Sequence, residues 1–65
     1  MNVFINQLPH TFATGATLAD AIAQLQPRPP FAAAVNLQFV PKPGYAQTLL
    51  QEGDRIDLIA PVTGG

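Results

Sequence analysis

Only one segment of this chain clearly repeats with the period of a helix. In residues 17–26, TLADAIAQLQ, the side chains of Leu18, Ala21, Ile22 and Leu25 fall at i, i+3, i+4 and i+7 and form one apolar stripe. Thr17 stands where an N-cap is needed, and Asp20, three residues on, places negative charge in the first turn. Pro27, Pro29 and Pro30 close the segment, since proline has no N–H and clashes with the preceding turn. A lone helix with one apolar stripe must bury it against something, and a sheet is the only surface left to supply. Leu18, Ile22 and Leu25 therefore read as core rather than as a partner-binding stripe.

The other segments have the length of strands. Residues 1–6 alternate, with Met1, Val3 and Ile5 on one face and Asn2, Phe4 and Asn6 on the other. Gln7-Leu8-Pro9 reads as a turn and residues 10–13 as a return strand, broken by Thr14-Gly15-Ala16. Residues 31–36 and Phe39-Val40 are short apolar stretches separated by Leu37-Gln38, and Pro41 and Pro43 bar a long central strand there. Residues 44–50 read as a loop or short helical turn. Residues 51–54 read as a turn, with Gly53 free to take a positive φ. Residues 55–60, RIDLIA, form a last strand with Ile56 and Leu58 inward, Arg55 and Asp57 outward, and Ile59 on the face away from Ile56 and Leu58. The fold class is α+β: a mixed sheet with one helix packed across one face. The first and last strands are expected to pair in parallel at its centre, because the connection between them is long enough to hold the helix.

Size then limits what else the chain holds. Its 65 residues make one domain at most. A chain this short buries only about 60% of its unfolded surface. It has no Cys for a disulfide, and the single His10 cannot build a zinc site. No metal is expected, and the core must come from the 48% hydrophobic content. Three fixed cations, Arg28, Lys42 and Arg55, are too few for the basic stripe that nucleic acid requires. No apolar run is long enough for a membrane span, and residues 1–6 lack the features of a signal peptide. With no Cys, the cytoplasm is the expected location.

The final residues, APVTGG, carry the functional expectation. Pro61 ends the strand, so residues 1–61 are expected to form the domain and residues 62–65 a flexible tail. Gly64 and Gly65 have no Cβ, and a tail that thin fits a narrow channel in a partner. The rest of the sequence has no Cys nucleophile, no His with an orienting acid beside it and no phosphate loop. Any chemistry is thus expected at the Gly65 carboxylate, performed by an external enzyme. Ile59, Val62 and Phe4 are the expected partner interface, with Phe4 and Phe12 on the outer sheet face. His10 is expected on the surface, Tyr45 over the edge of the core, and Asn36 satisfying turn backbone groups.

The element order closing on Gly-Gly resembles the β-grasp, ubiquitin-like fold. AVNLQFVPK (residues 34–42) and LLQEGDRIDLIAPVTGG (residues 49–65) resemble the ThiS family, the sulfur carriers of thiamine biosynthesis. The ending PVTGG also resembles MoaD, the small subunit of molybdopterin synthase, though MoaD-like chains carry more sequence between helix and third strand. The ThiS resemblance implies a sulfur carrier that is not itself an enzyme and binds no cofactor. Its partners would be an E1-like adenylyltransferase of the ThiF type, a cysteine desulfurase relay and a thiazole synthase of the ThiG type. The first would use ATP to adenylate Gly65, a sulfur donor would make the thiocarboxylate, and the thiazole synthase would take the sulfur. A ubiquitin-like modifier joined to lysines, or an interaction domain with an idle tail, are the alternatives of another class.

Overall fold

A computed structural model describes residues 1–60; residues 61–65, which include the expected tail, lie outside the described residues. Along the chain come strands β1 (Asn2–Ile5) and β2 (Leu8–Thr11), helix α1 (Leu18–Leu25), and strands β3 (Ala32–Val35) and β4 (Gln38–Val40). A 3-10 helix (Lys42–Gln47) and strand β5 (Arg55–Ile59) follow. The strands form one five-stranded sheet in the order β2-β1-β5-β3-β4. The last strand is therefore central. It runs parallel to β1, with Phe4 opposite Arg55 and Ile5 opposite Ile56, as the long connection requires. On its other side it is antiparallel to β3, from Val35 opposite Ile56 to Ala32 opposite Ile59.

The helix forms where its stripe and caps place it. Thr17 and Asp20 make a reciprocal capping box: Thr17 Oγ1 accepts the Asp20 N–H at 3.2 Å, and Asp20 Oδ2 accepts the Thr17 N–H at 2.9 Å. The Leu18 N–H, orphaned in the first turn, donates to the Thr48 carbonyl at 2.8 Å. Gln26 takes the left-handed cap conformation just before Pro27. Leu18 and Ala21 are buried against Val3, Ile5, Ala33, Leu50 and Ile56, while Ile22 and Leu25 pack at the margin of that core. Tyr45 lies at the core edge as expected, stacked on Phe31 with ring centroids 6.3 Å apart.

Both hairpin turns begin one residue earlier than the sequence suggests, and the first is two residues long rather than three. The β1–β2 turn is Asn6-Gln7, with φ of 50° and 70°, and the β3–β4 turn is Asn36-Leu37, with φ of 51° and 70°. These are two-residue turns of the kind whose twist matches paired strands, made without glycine. The early first turn extends β2 back to Leu8 and changes the phase of the whole return strand. Val3 now faces His10, so His10 and Phe12 share the inner face with Val3. Phe12, expected on the outer face, is instead buried at 7% exposure, its N–H donating to the Met1 carbonyl at 2.9 Å. His10, expected on the surface, is half-buried and stacks on the Phe12 ring. Pro9 falls opposite Phe4. This is the non-bonded position of a two-residue hairpin, so its nitrogen points to the open edge and costs no ladder bond.

Candidate functional site

Among the described residues, the helix covers one face of the sheet and nothing covers the other. Register places Phe4, Arg55, Asp57, Ile59, Ala34 and Phe39 on that bare face. Phe4 is 42% exposed and Ile59 56%, so both expected interface residues stand in the open on one surface. They are not neighbours. Phe4 lies opposite Arg55, and Ile59 is four residues further along β5, about 13 Å at strand rise. Between them along β5 stand Arg55 and Asp57, and on the other flank of β5 the strand β3 adds only Ala32 and Ala34 to the face. Phe39 stands on its far side, 69% exposed, opposite Ala34. Phe39 was not among the expected interface residues. The alternation of Gln38-Phe39-Val40, with Val40 turned to the core, is the signal that places it.

Two asparagines grip the central strand from the two hairpin turns. At its start, the Asn36 N–H donates to the Arg55 carbonyl at 2.7 Å and Asn36 Oδ1 accepts the Arg55 N–H at 3.0 Å. Asn36 Nδ2 also donates to Asp54 Oδ1 at 3.0 Å, so this residue satisfies turn groups as expected. At the other end, the Asn6 N–H donates to the Ile56 carbonyl at 2.9 Å. There β1 stops, and the Asn6 side chain supplies the next rung. Its Oδ1 accepts the Leu58 N–H at 2.9 Å, and its Nδ2 donates to the Leu58 carbonyl at 3.3 Å. Leu58, Ile59 and Ala60 are the last described residues before Pro61. Gly64, Gly65 and Val62, the remaining expected site residues, lie outside the described residues.

Among the described residues, no group of three His, Asp or Glu side chains is placed to hold a metal ion. No described helix is long and apolar enough to cross a membrane.

The model of the ThiS family matches residues 3–65, nearly the whole chain. The sulfur carrier protein ThiS of Escherichia coli (strain K12) is 36% identical over 66 residues, covering all of both chains. The chain belongs to the ThiS family. Of the two families it resembles by sequence, ThiS and MoaD, the first is thus the one shown. The fold agrees. The crystal structure of a thiamine biosynthesis protein (ThiS) from Geobacter metallireducens superposes with a TM-score of 0.84 at 19% identity, covering all of both chains. An NMR solution structure of a thiamine biosynthesis protein from the same organism gives a TM-score of 0.78 at 19% identity, over the whole of this chain and 88% of the other. A ThiS chain with this topology is a β-grasp domain, and its central strand is the last strand before the Gly-Gly end of the sequence.

Proposed function

We propose that this chain is a sulfur carrier of thiamine biosynthesis, loaded at the carboxylate of Gly65. The observation that carries the reading is the family match, which extends through residue 65 and so takes in Gly64 and Gly65. In this reading a ThiF-type adenylyltransferase joins the Gly65 carboxylate to the AMP portion of ATP and releases pyrophosphate. A free carboxylate is a poor acyl donor, and the adenylate gives it a good leaving group. A persulfide from a cysteine desulfurase relay then displaces AMP to give an acyl disulfide, and a second thiol cleaves its S–S bond, ending as a disulfide and leaving a thiocarboxylate that a ThiG-type thiazole synthase consumes. The carrier presents the atom and its partners perform the steps, so the protein is a co-substrate rather than a catalyst.

The bare sheet face supplies the docking surface in this scheme. Of the exposed residues described on that face, Ile59 stands closest along the chain to the reacting end, and Val62 follows three residues later in the sequence. Phe4 and Phe39 extend the apolar contact across the sheet.

The test is to incubate the chain with the adenylyltransferase, ATP and a sulfur donor, and to weigh it intact. The expected product gains one sulfur less one oxygen, localised to the C-terminal peptide. Isopeptide conjugates to lysines, sulfur elsewhere in the chain, or an unchanged mass would each defeat the reading.

A further inference from the structure

We infer that Asn6 is a positioning residue for the loaded end. Its side-chain amide fixes the direction in which β5 delivers the chain to the partner's active site. The inference rests on the carrier reading and adds to it a residue remote in sequence from Gly65.

The parallel β1–β5 ladder is short. Phe4 N–H donates to the Asp54 carbonyl and Asn6 N–H to the Ile56 carbonyl, both at 2.9 Å. A further rung would need backbone at the level of Leu58, but β1 has already turned, with Asn6 at φ 50°. On its other flank β5 stays paired with β3 out to Ile59, opposite Ala32. Toward β1, Leu58 would be held by nothing but water if Asn6 were a residue without a suitable side chain. The amide instead meets both backbone groups of Leu58, as a peptide unit of a neighbouring strand would. The strand is thus held on both sides one residue before Ile59, just ahead of the reacting segment.

This matters because the reacting carboxylate is seven residues beyond Leu58 and its aim depends on where the strand lets go. A misplacement of 1 Å at a reacting centre costs about 100-fold in rate. The turn itself does not need the amide. Left-handed backbone at position 6 is available to glycine without steric cost. Asn6→Gly therefore removes the grip and keeps the turn. Asn6→Asp keeps an acceptor for the Leu58 N–H and loses the donor to the Leu58 carbonyl.

The experiment measures adenylation of the full chain by pyrophosphate release, varying carrier concentration, alongside amide hydrogen exchange in the free protein. For Asn6→Gly, kcat is expected to fall about tenfold or more while KM stays within about twofold, because the docking face is untouched. Exchange should quicken at Leu58 and not at Ile56. Asn6→Asp should recover part of the lost kcat. Unchanged kcat, a loss through KM alone, or loss of protection at Ile56 together with Leu58 would overturn the positioning role and leave the carrier reading standing. Failure of the wild-type chain to be adenylated at all would defeat the carrier reading instead, and Leu58 exchange would then decide whether the amide holds the strand.

Discussion

Ile5 and Ile56 lie directly opposite each other across the parallel pair at the centre of the sheet, 3% and 1% exposed. Ile56 also faces Val35 on its other flank, so it joins the two halves of the fold through one side chain. Ile56→Ala is expected to cost about 2–5 kcal/mol, as for a buried aliphatic residue cut to its Cβ. In a domain with little stability in reserve, urea unfolding should show a much lowered midpoint or no folded baseline. A loss below about half a kcal/mol, the range of surface substitutions, would contradict the central register.

The apolar stripe of the helix is graded rather than uniform. Leu18 is fully buried and Leu25 lies at the margin, so the two should not cost the same. Leu18→Ala is expected to lose about 2–5 kcal/mol. Leu25→Ala, only partly buried, is expected to lose about 1–2 kcal/mol. Equal losses in paired denaturant titrations would show that the helix packs more centrally than its exposure indicates.

The capping box joins Thr17 and Asp20 at the start of the helix. Thr17→Ala removes the acceptor of the Asp20 N–H and is expected to destabilise by about 1 kcal/mol. Thermal melts of Thr17→Ala and Thr17→Ser should differ, with serine close to wild type.

Gly53 sits at φ +84° with open space where a Cβ would go. Gly53→Ala is therefore expected to cost about 1–2 kcal/mol through backbone strain alone, with no clash to relieve. Gly53→Asn, which tolerates left-handed backbone better than alanine, should lose less than Gly53→Ala in denaturant titrations.

The bare face should separate folding from docking. Ile59→Asp places a charge on a side chain that is 56% exposed, so stability should change by no more than about half a kcal/mol. Adenylation should weaken through KM, because the apolar contact is lost while the end still reaches the nucleotide. An unchanged KM would move the interface elsewhere. Deleting Gly65 should act oppositely. It draws the carboxylate back by about 3.3–3.6 Å and should abolish charging without altering the melt.

The sequence made the helix, its caps and the central parallel pair legible because each rests on a local rule: stripe spacing, Thr17 with Asp20, and a connection long enough to cross. Asn36 was readable for the same reason, as an asparagine at a turn. The hairpin positions were not readable, because Asn6-Gln7 and Asn36-Leu37 take left-handed backbone with no glycine to mark it. The two-residue turn in place of an expected three-residue one hid Phe12, since an odd shift of register turns a strand's other face inward. Of the candidate site, Phe4 and Ile59 were visible from alternation alone. The grip of Asn6 on Leu58 joins residues 52 apart, and no local rule in the sequence reports such a contact.

Pro9 lies on the outer edge of β2 with its nitrogen turned away from the sheet, and on the opposite edge β4 runs for only three residues before Pro41. Each rim of the sheet therefore has a proline where a stray strand would look for a donor. Only 11% of the residues are charged, so repulsion between copies is weak, and the bare apolar face is present on every molecule. Each proline withholds a donor that an incoming strand would need, so pairing of two copies edge to edge is disfavoured at both rims.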